Sequence, residues 1–253
     1  WKTPLEWSTV SLLGGLSTDD RDALLSLGRT VALENGATLI REGECSFDVY
    51  VLLSGWYKVL ATGDSGREVV MAIRTAGDIV GELASLDGQP RIATVRAVGQ
   101  CETRRIGQSH FHRYLAAHPD AALLVTRSVA EKLRSATRRR LELSTSSLPE
   151  RLARILVELG QSYGLATQEG IVVGVALTQT DLAALVGAAD PTVHRALTAL
   201  RRDGVISTKY RKIVIRDLAE LHRRAVGRSG PGGTLVASRG EVSRDEPRET
   251  LDL

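Results

Sequence analysis

Two stretches of this sequence place polar and charged side chains close enough to act together. In the first, Glu82 and Arg91 bracket a turn whose neighbours Gly81, Leu83, Ala84, Gly88 and Ile92 are small or apolar. A carboxylate accepts hydrogen bonds from sugar hydroxyls, and a guanidinium offers paired donors to a single phosphate. By residue type alone, the two read first as an ion pair across the turn, with anion binding as the alternative. The second stretch runs from Leu177 to Ile206. Thr178 with Asp181 three residues later makes a capping box, the hydroxyl accepting from an orphan amide while the carboxylate reaches back. Leu182, Ala183, Leu185 and Val186 then give one turn-spaced apolar face, and Gly187 stands where a left-handed residue ends a helix. Asp190 as N-cap and Pro191 at the first position open a second helix through Val193, Ala196, Leu197 and Leu200.

Two helices joined by so tight a turn form a helix-turn-helix, with small Ala183 and Gly187 and apolar Val193 where the pair packs closely. The outer face of the second helix presents Thr192, His194, Arg195, Thr198, Arg201 and Arg202 to a major groove. Thr178 and Thr180, at the start of the first helix, complete that candidate surface. After Gly204, the segments 205–207 and 212–215 read as a two-stranded hairpin, a basic wing carrying Lys209, Arg211 and Lys212. Residues 190–216 hold seven basic side chains against Asp190 and Asp203 alone, a surplus that suits a polyanion. Double-stranded DNA is the expected partner. Arg195 is the candidate for reading a base edge, since a guanidinium can donate twice to guanine. Lys209, Arg211 and Lys212 are expected at phosphates.

The elements around these stretches divide the chain. Thr18–Leu27 reads as a short helix capped by Ser17 or Thr18, with Asp19, Asp20 and Asp22 at its positive end. From Val31 to Gly107, short β-rich runs (38–40, 49–53, 57–60, 69–73, 93–98) alternate with glycine-bearing turns, the pattern of a sandwich or barrel. Glycine then vanishes until Gly160. Pro119 suits the first turn of a long helix reaching about Leu143, on which Val129, Leu133, Ala136, Arg140 and Leu143 fall at heptad spacing. That stripe would either pair with a second copy of itself or pack on its own barrel. Ser144–Ser147 is a polar break, followed by a helix over 149–160. The predicted architecture is α+β: a β-barrel over 1–108, a long helix over 109–144, a winged helix-turn-helix over 148–225, and a disordered glycine- and charge-rich tail over 226–253.

With 253 residues, 43% hydrophobic and 25% charged, the composition is that of a globular protein able to bury a core. No apolar run is long enough for a membrane span and no signal-peptide layout opens the chain, so a cytoplasmic location is expected. Cys45 and Cys101 are too few for a disulfide framework or a four-thiolate cluster. A cupin-like metalloenzyme would need histidines on the barrel strands, but all five lie at or beyond His110. No cofactor, no metal site and no catalytic residue is expected.

The 81–95 stretch closely resembles the phosphate-binding cassette of the cyclic-AMP receptor protein/FNR (CRP/FNR) family of bacterial transcription regulators, and the winged helix-turn-helix resembles theirs. The similarity runs from about Leu12 to Ala225. It implies a cyclic-nucleotide-binding jelly roll, a dimerising long helix and a DNA-binding domain, and it changes the reading of Glu82 and Arg91. Glu82 would hold the ribose, Arg91 the cyclic phosphate, and the backbone at Gly81 and Leu83 the sugar-phosphate, with Ala84 beside them. Thr137 sits near where family members contact the base. RNA polymerase would be a partner if the protein activates transcription.

Departures from the family matter as much. The residue after the arginine is usually Ser or Thr, whose hydroxyl helps bind phosphate; here it is Ile92. That loss is worth about 1.5–3 kcal/mol where the acceptor is charged, roughly 10- to 150-fold in affinity. Ala136 stands where a base-contacting threonine can occur, and Asp190-Pro191 where many members have Arg-Glu. Two cysteines exclude the four-cysteine iron–sulfur sensors, and His110, His112 and His118 are the only cluster that could serve haem. The expected function is a dimeric regulator controlled by a small effector such as cyclic AMP. The alternative is a regulator of the same family that no longer binds cyclic nucleotide.

Overall fold

The computed structural model describes residues 7, 11–63, 66, 68–175, 177–209 and 212–227. Arg211 and the predicted tail from residue 228 onward lie outside them. Helices α1 (Leu12–Gly15) and α2 (Thr18–Ser26) come first, the Ser17 side chain accepting from the Asp20 amide as its sequence position predicts. Six strands follow: β1 (Arg29–Leu33), β2 (Thr38–Ile40), β3 (Val49–Thr62), β4 (Glu68–Thr75), β5 (Ile79–Val80) and β6 (Thr94–Ile106). They pair antiparallel in the order β1-β6-β3-β4, with β2 on β6 and β5 on β3. A short helix, α3 (Glu82–Asp87), lies between β5 and β6.

The runs predicted at 49–53 and 57–60 are one strand. Gly55 has φ +82° and sits where the register with β6 shifts, and a Cβ there would stand 2.4 Å from the Cys101 sulfur. The glycine therefore bulges the strand and lets it pass close to its partner instead of ending it. The run predicted at 93–98 likewise continues through Gly99 to Ile106. Tyr57, Leu52 and Val95 pack one part of the interior, and Val49, Val51, Ile79 and Ile106 pack another against the flanking helices.

The stretch read as one long helix is two. In α4 (Gln108–Ala117), Phe111 and Tyr114 are buried against the β domain, and α5 (Pro119–Thr145) starts afresh at the proline. His118 adopts φ −128° and ψ 80°, the extended side of backbone space favoured before proline, which breaks the run. Ala121 and Val125 bury the first turns of α5, but Leu133 is 67% exposed and Leu141 62%. Of the heptad stripe, Val129 is half-buried, whereas Leu133, Ala136, Arg140 and Leu143 are exposed.

The C-terminal module comprises α6 (Leu148–Tyr163), β7 (Gly164–Thr167), β8 (Gly170–Val173), α7 (Gln179–Val186), α8 (Asp190–Arg202), β9 (Ile206–Lys209), β10 (Lys212–Ile215) and α9 (Leu218–Val226). Its sheet runs β7-β8-β10-β9. Helix α6 starts at a Ser147–Glu150 capping box and buries Leu152, Leu156 and Leu159 beneath α7 and α8. Leu156 is fully buried, so Leu156→Ala is expected to cost about 2–5 kcal/mol of stability in urea unfolding. A loss below about 1 kcal/mol would mean that this helix is not the module's core.

Candidate functional site

Gly81 takes φ +84° and caps α3, which turns its carbonyl toward Arg91. Arg91 Nη1 donates to that oxygen at 2.8 Å, Nη2 to the Asp48 carbonyl at 2.6 Å, and Nε to the Ser46 hydroxyl at 3.1 Å. A Cβ on residue 81 would lie 2.7 Å from Nη1 and 2.9 Å from the Asp48 oxygen, so only glycine fits. Arg91 is buried, and desolvation holds its pKa below the usual guanidinium range. The ion pair with Glu82 suggested by residue type is not formed. Glu82, also buried, accepts from Lys132 Nζ of α5 at 2.8 Å, and the same ammonium donates to the Ile79 carbonyl at 2.7 Å. The carboxylate and the guanidinium are each satisfied by a different partner.

These groups face a cavity of about 580 Å³ between the β domain and α5, a size usual for small-molecule sites. Gly81, Glu82, Leu83, Ala84, Arg91 and Ile92 all line it. Thr137 does not: it is exposed, and its neighbour Ala136 faces the cavity, one residue being about 100° around a helix. Ile92 is 67% exposed and offers no polar atom. Sequence reading missed Lys132, because a lysine on a charged helix has no local signature that aims it at an acid 50 residues away. The cassette is braced from behind, the Ser85 carbonyl accepting from Gln108 Nε2 and His112 Nε2, each at 2.8 Å. His118 instead meets Asp20 at 2.7 Å. Among the described residues, no group of three or more His, Cys, Asp or Glu side chains could hold a metal.

The second candidate surface is built as the capping box predicts. Thr178 accepts from the Asp181 amide and donates its hydroxyl to Asp181 Oδ2, and Gly187 ends α7 at φ +65°. The next helix begins one residue earlier than expected: Ala189, not Asp190, is the N-cap of α8, and Asp190 is its first residue. A side chain at that position reaches backward, and the Asp190 carboxylate accepts from the Thr180 hydroxyl at 2.7 Å. Val193, Leu197 and Leu200 face the core; His194, Arg195, Thr198 and Arg201 are exposed, and Thr192 is half-buried. Arg201 donates to Thr198 and Thr208, and His194 Nδ1 meets Gln179 Oε1 at 3.0 Å. Lys209 pairs with Glu169 at 2.6 Å. Arg195 has only a 3.5 Å contact to the Thr192 hydroxyl, which leaves its guanidinium open to an incoming acceptor. Lys212 is exposed at the start of β10.

The two modules that carry these sites are joined by direct contacts. Lys58 of β3 donates to Asp181 Oδ2 at 2.6 Å, inside the capping box of α7. Trp56 meets Tyr163 edge-on at 5.1 Å, and burial pushes the Tyr163 phenol up to about 12. Leu60, Val70 and Ile73 of the β domain share one buried cluster with the helices of the C-terminal module.

Residues 30–118 match the cyclic nucleotide-binding domain family, and residues 150–224 the Crp-like helix-turn-helix domain family. The chain is 30% identical over 205 residues to a CRP-like cAMP-activated global transcriptional regulator of Mycobacterium tuberculosis, covering 80% of this chain and 91% of the relative. It is 28% identical over 181 residues to the cAMP-activated global transcriptional regulator CRP of Escherichia coli, covering 71% and 85%. The solved structure of FixK2 from Bradyrhizobium japonicum superposes with a TM-score of 0.69 at 22% identity, covering 78% of this chain and 96% of that one.

Removing the missed lysine tests the buried pair. Lys132→Met leaves Glu82 without its partner and is expected to cost about 3 kcal/mol in urea unfolding. Adding Glu82→Leu should recover most of that loss; a double variant as unstable as the single would show that Lys132 acts through packing and not through charge.

Proposed function

This chain belongs to the CRP/FNR family of transcription regulators, and we propose that it works as a homodimer reading two-fold-related DNA with Arg195, under control of a nucleotide held behind Glu82 and Arg91. One observation carries the effector reading: Arg91 is buried with three hydrogen bonds, all to uncharged acceptors. An anion entering the cavity supplies the counter-charge. Arg91 then takes the phosphate, and Glu82 the ribose hydroxyls once Lys132 yields. The backbone at Gly81 and Leu83 lines the sugar-phosphate. The M. tuberculosis and E. coli relatives are named as cAMP-activated, which makes cyclic AMP the first effector to try.

Exposed Leu133, Leu141 and Leu143 on α5 support self-pairing, which would set two α8 helices one DNA turn apart, about 34 Å. The protein acts by binding and not by catalysis, in the cytoplasm where DNA is found; no described helix is long and apolar enough to cross a membrane. If it activates, RNA polymerase is the further partner. The effector shifts the balance between arrangements of the α8 pair, and only by its differential affinity for them.

Ile92 favours a second reading, in which the regulator is constitutive or answers to a ligand other than cyclic AMP. Calorimetric titration with cyclic AMP separates the two. Under the first reading, Ile92→Ser tightens binding about 10-fold by restoring a hydroxyl donor; an unchanged constant would place Ile92 away from the phosphate. For DNA, Arg195→Ala is expected to lose about 1–3 kcal/mol of preference for the specific site over random duplex. Equal weakening on both duplexes would refute base reading by Arg195.

A further inference from the structure

We propose that the effector carries two phosphates, the second held by Arg140, about two helical turns of α5 beyond Lys132 in the cavity that contains Glu82 and Arg91. The inference rests on reading that cavity as the nucleotide site. Arg74, Arg91, Lys132, Arg139 and Arg140 line it against a single acid, Glu82. Before a ligand enters, three of these cations are already answered. Lys132 pairs with Glu82, and Arg139 pairs with Glu158 at 3.0 Å. Arg74 lies beside the half-buried Asp78, whose carboxyl is raised by desolvation and lowered in part by that guanidinium.

Arg91 and Arg140 are different. Arg91 bonds only to neutral oxygens, and Arg140 makes no hydrogen bond or ion pair among the described residues. Among the described residues the cavity therefore presents two guanidiniums that form no ion pair, buried Arg91 and exposed Arg140, whereas a cyclic mononucleotide brings one negative charge. Arg140 lies eight residues beyond Lys132 on α5, about 12 Å along the axis. The second anion thus belongs well beyond the Glu82 carboxylate, past the apolar side chains of Met71 and Ala136, which suit a base. Arg140 also falls in the heptad stripe with Leu133, Ala136 and Leu143. A dimer formed through that stripe brings two copies of the charge together, and a bound anion at this point removes the repulsion.

The full chain at low salt is titrated calorimetrically with cyclic AMP, adenosine 3′,5′-bisphosphate, cyclic di-AMP and cyclic di-GMP. At least one two-phosphate nucleotide is expected to bind 10-fold or more tightly than cyclic AMP. Arg140→Gln should weaken that nucleotide about 10-fold while leaving cyclic AMP within about twofold, as a lost charge-assisted hydrogen bond predicts. Arg138→Gln, exposed and off the cavity lining, serves as the control and should change neither. Cyclic AMP binding more tightly than every two-phosphate probe, or indifference of all of them to Arg140→Gln, overturns the proposal and leaves the nucleotide site standing. Binding of none of the four to chain shown folded by circular dichroism overturns the site reading and this proposal with it.

Discussion

Arg91 is a charge taken out of water with no hydrogen bond to a carboxylate. Three hydrogen bonds to neutral oxygens satisfy its donors, but they do not replace the hydration of a cation, and the residual cost of such burial is several kcal/mol. The surrounding backbone is shaped by that guanidinium. Gly81 adopts a left-handed conformation to present its carbonyl, and Asp48 turns its carboxylate outward to Arg105 while its own carbonyl faces inward. The result is a cassette that is folded yet electrostatically incomplete, which is the condition a binding site for an anion requires.

The same pocket is tied to the rest of the chain by Lys132, which reaches from α5 to Glu82. A ligand that takes over the Glu82 carboxylate competes directly with the long helix. On β3, next to the cavity-lining Val59, Lys58 reaches into the capping box of α7, and Trp56 meets Tyr163 edge-on. The β domain is therefore tied to α5 by one buried ion pair at the cavity and to the C-terminal module by a separate set of contacts outside it. Any coupling between the two sites must be reciprocal, so DNA that favours one arrangement also changes effector affinity.

Much of this was readable in the residues. The α7–α8 pair was legible because capping boxes, a left-handed glycine and an early proline are local rules that need no distant partner. The β domain was legible in kind but not in its strand ends, because Gly55 and Gly99 look like turns when they are bulges within long strands. Strand β1 is hard to read because three of its five residues are exposed and none is fully buried, and hairpin β7–β8 and helix α9 are likewise absent from the sequence reading. Asp190 was misplaced by one position for a similar reason: aspartate suits both an N-cap and the first turn, and the choice was made by a tertiary contact to Thr180. Lys132, Lys58 and the arginines around the cavity were invisible as a set. Their roles arise only when elements distant in sequence are brought together.

The shared cluster of Leu60, Val70 and Ile73 with Leu152, Leu156 and Val186 has a practical corollary. The boundary between the two modules is a seam in the sequence but not in the hydrophobic interior. A fragment cut at the Ser144–Ser147 break would carry a raw oily patch where the barrel had been, and its Asp181 would lose an ammonium. Such a fragment is prone to self-association, so dissection of this regulator is better done by point changes within the intact polypeptide than by truncation.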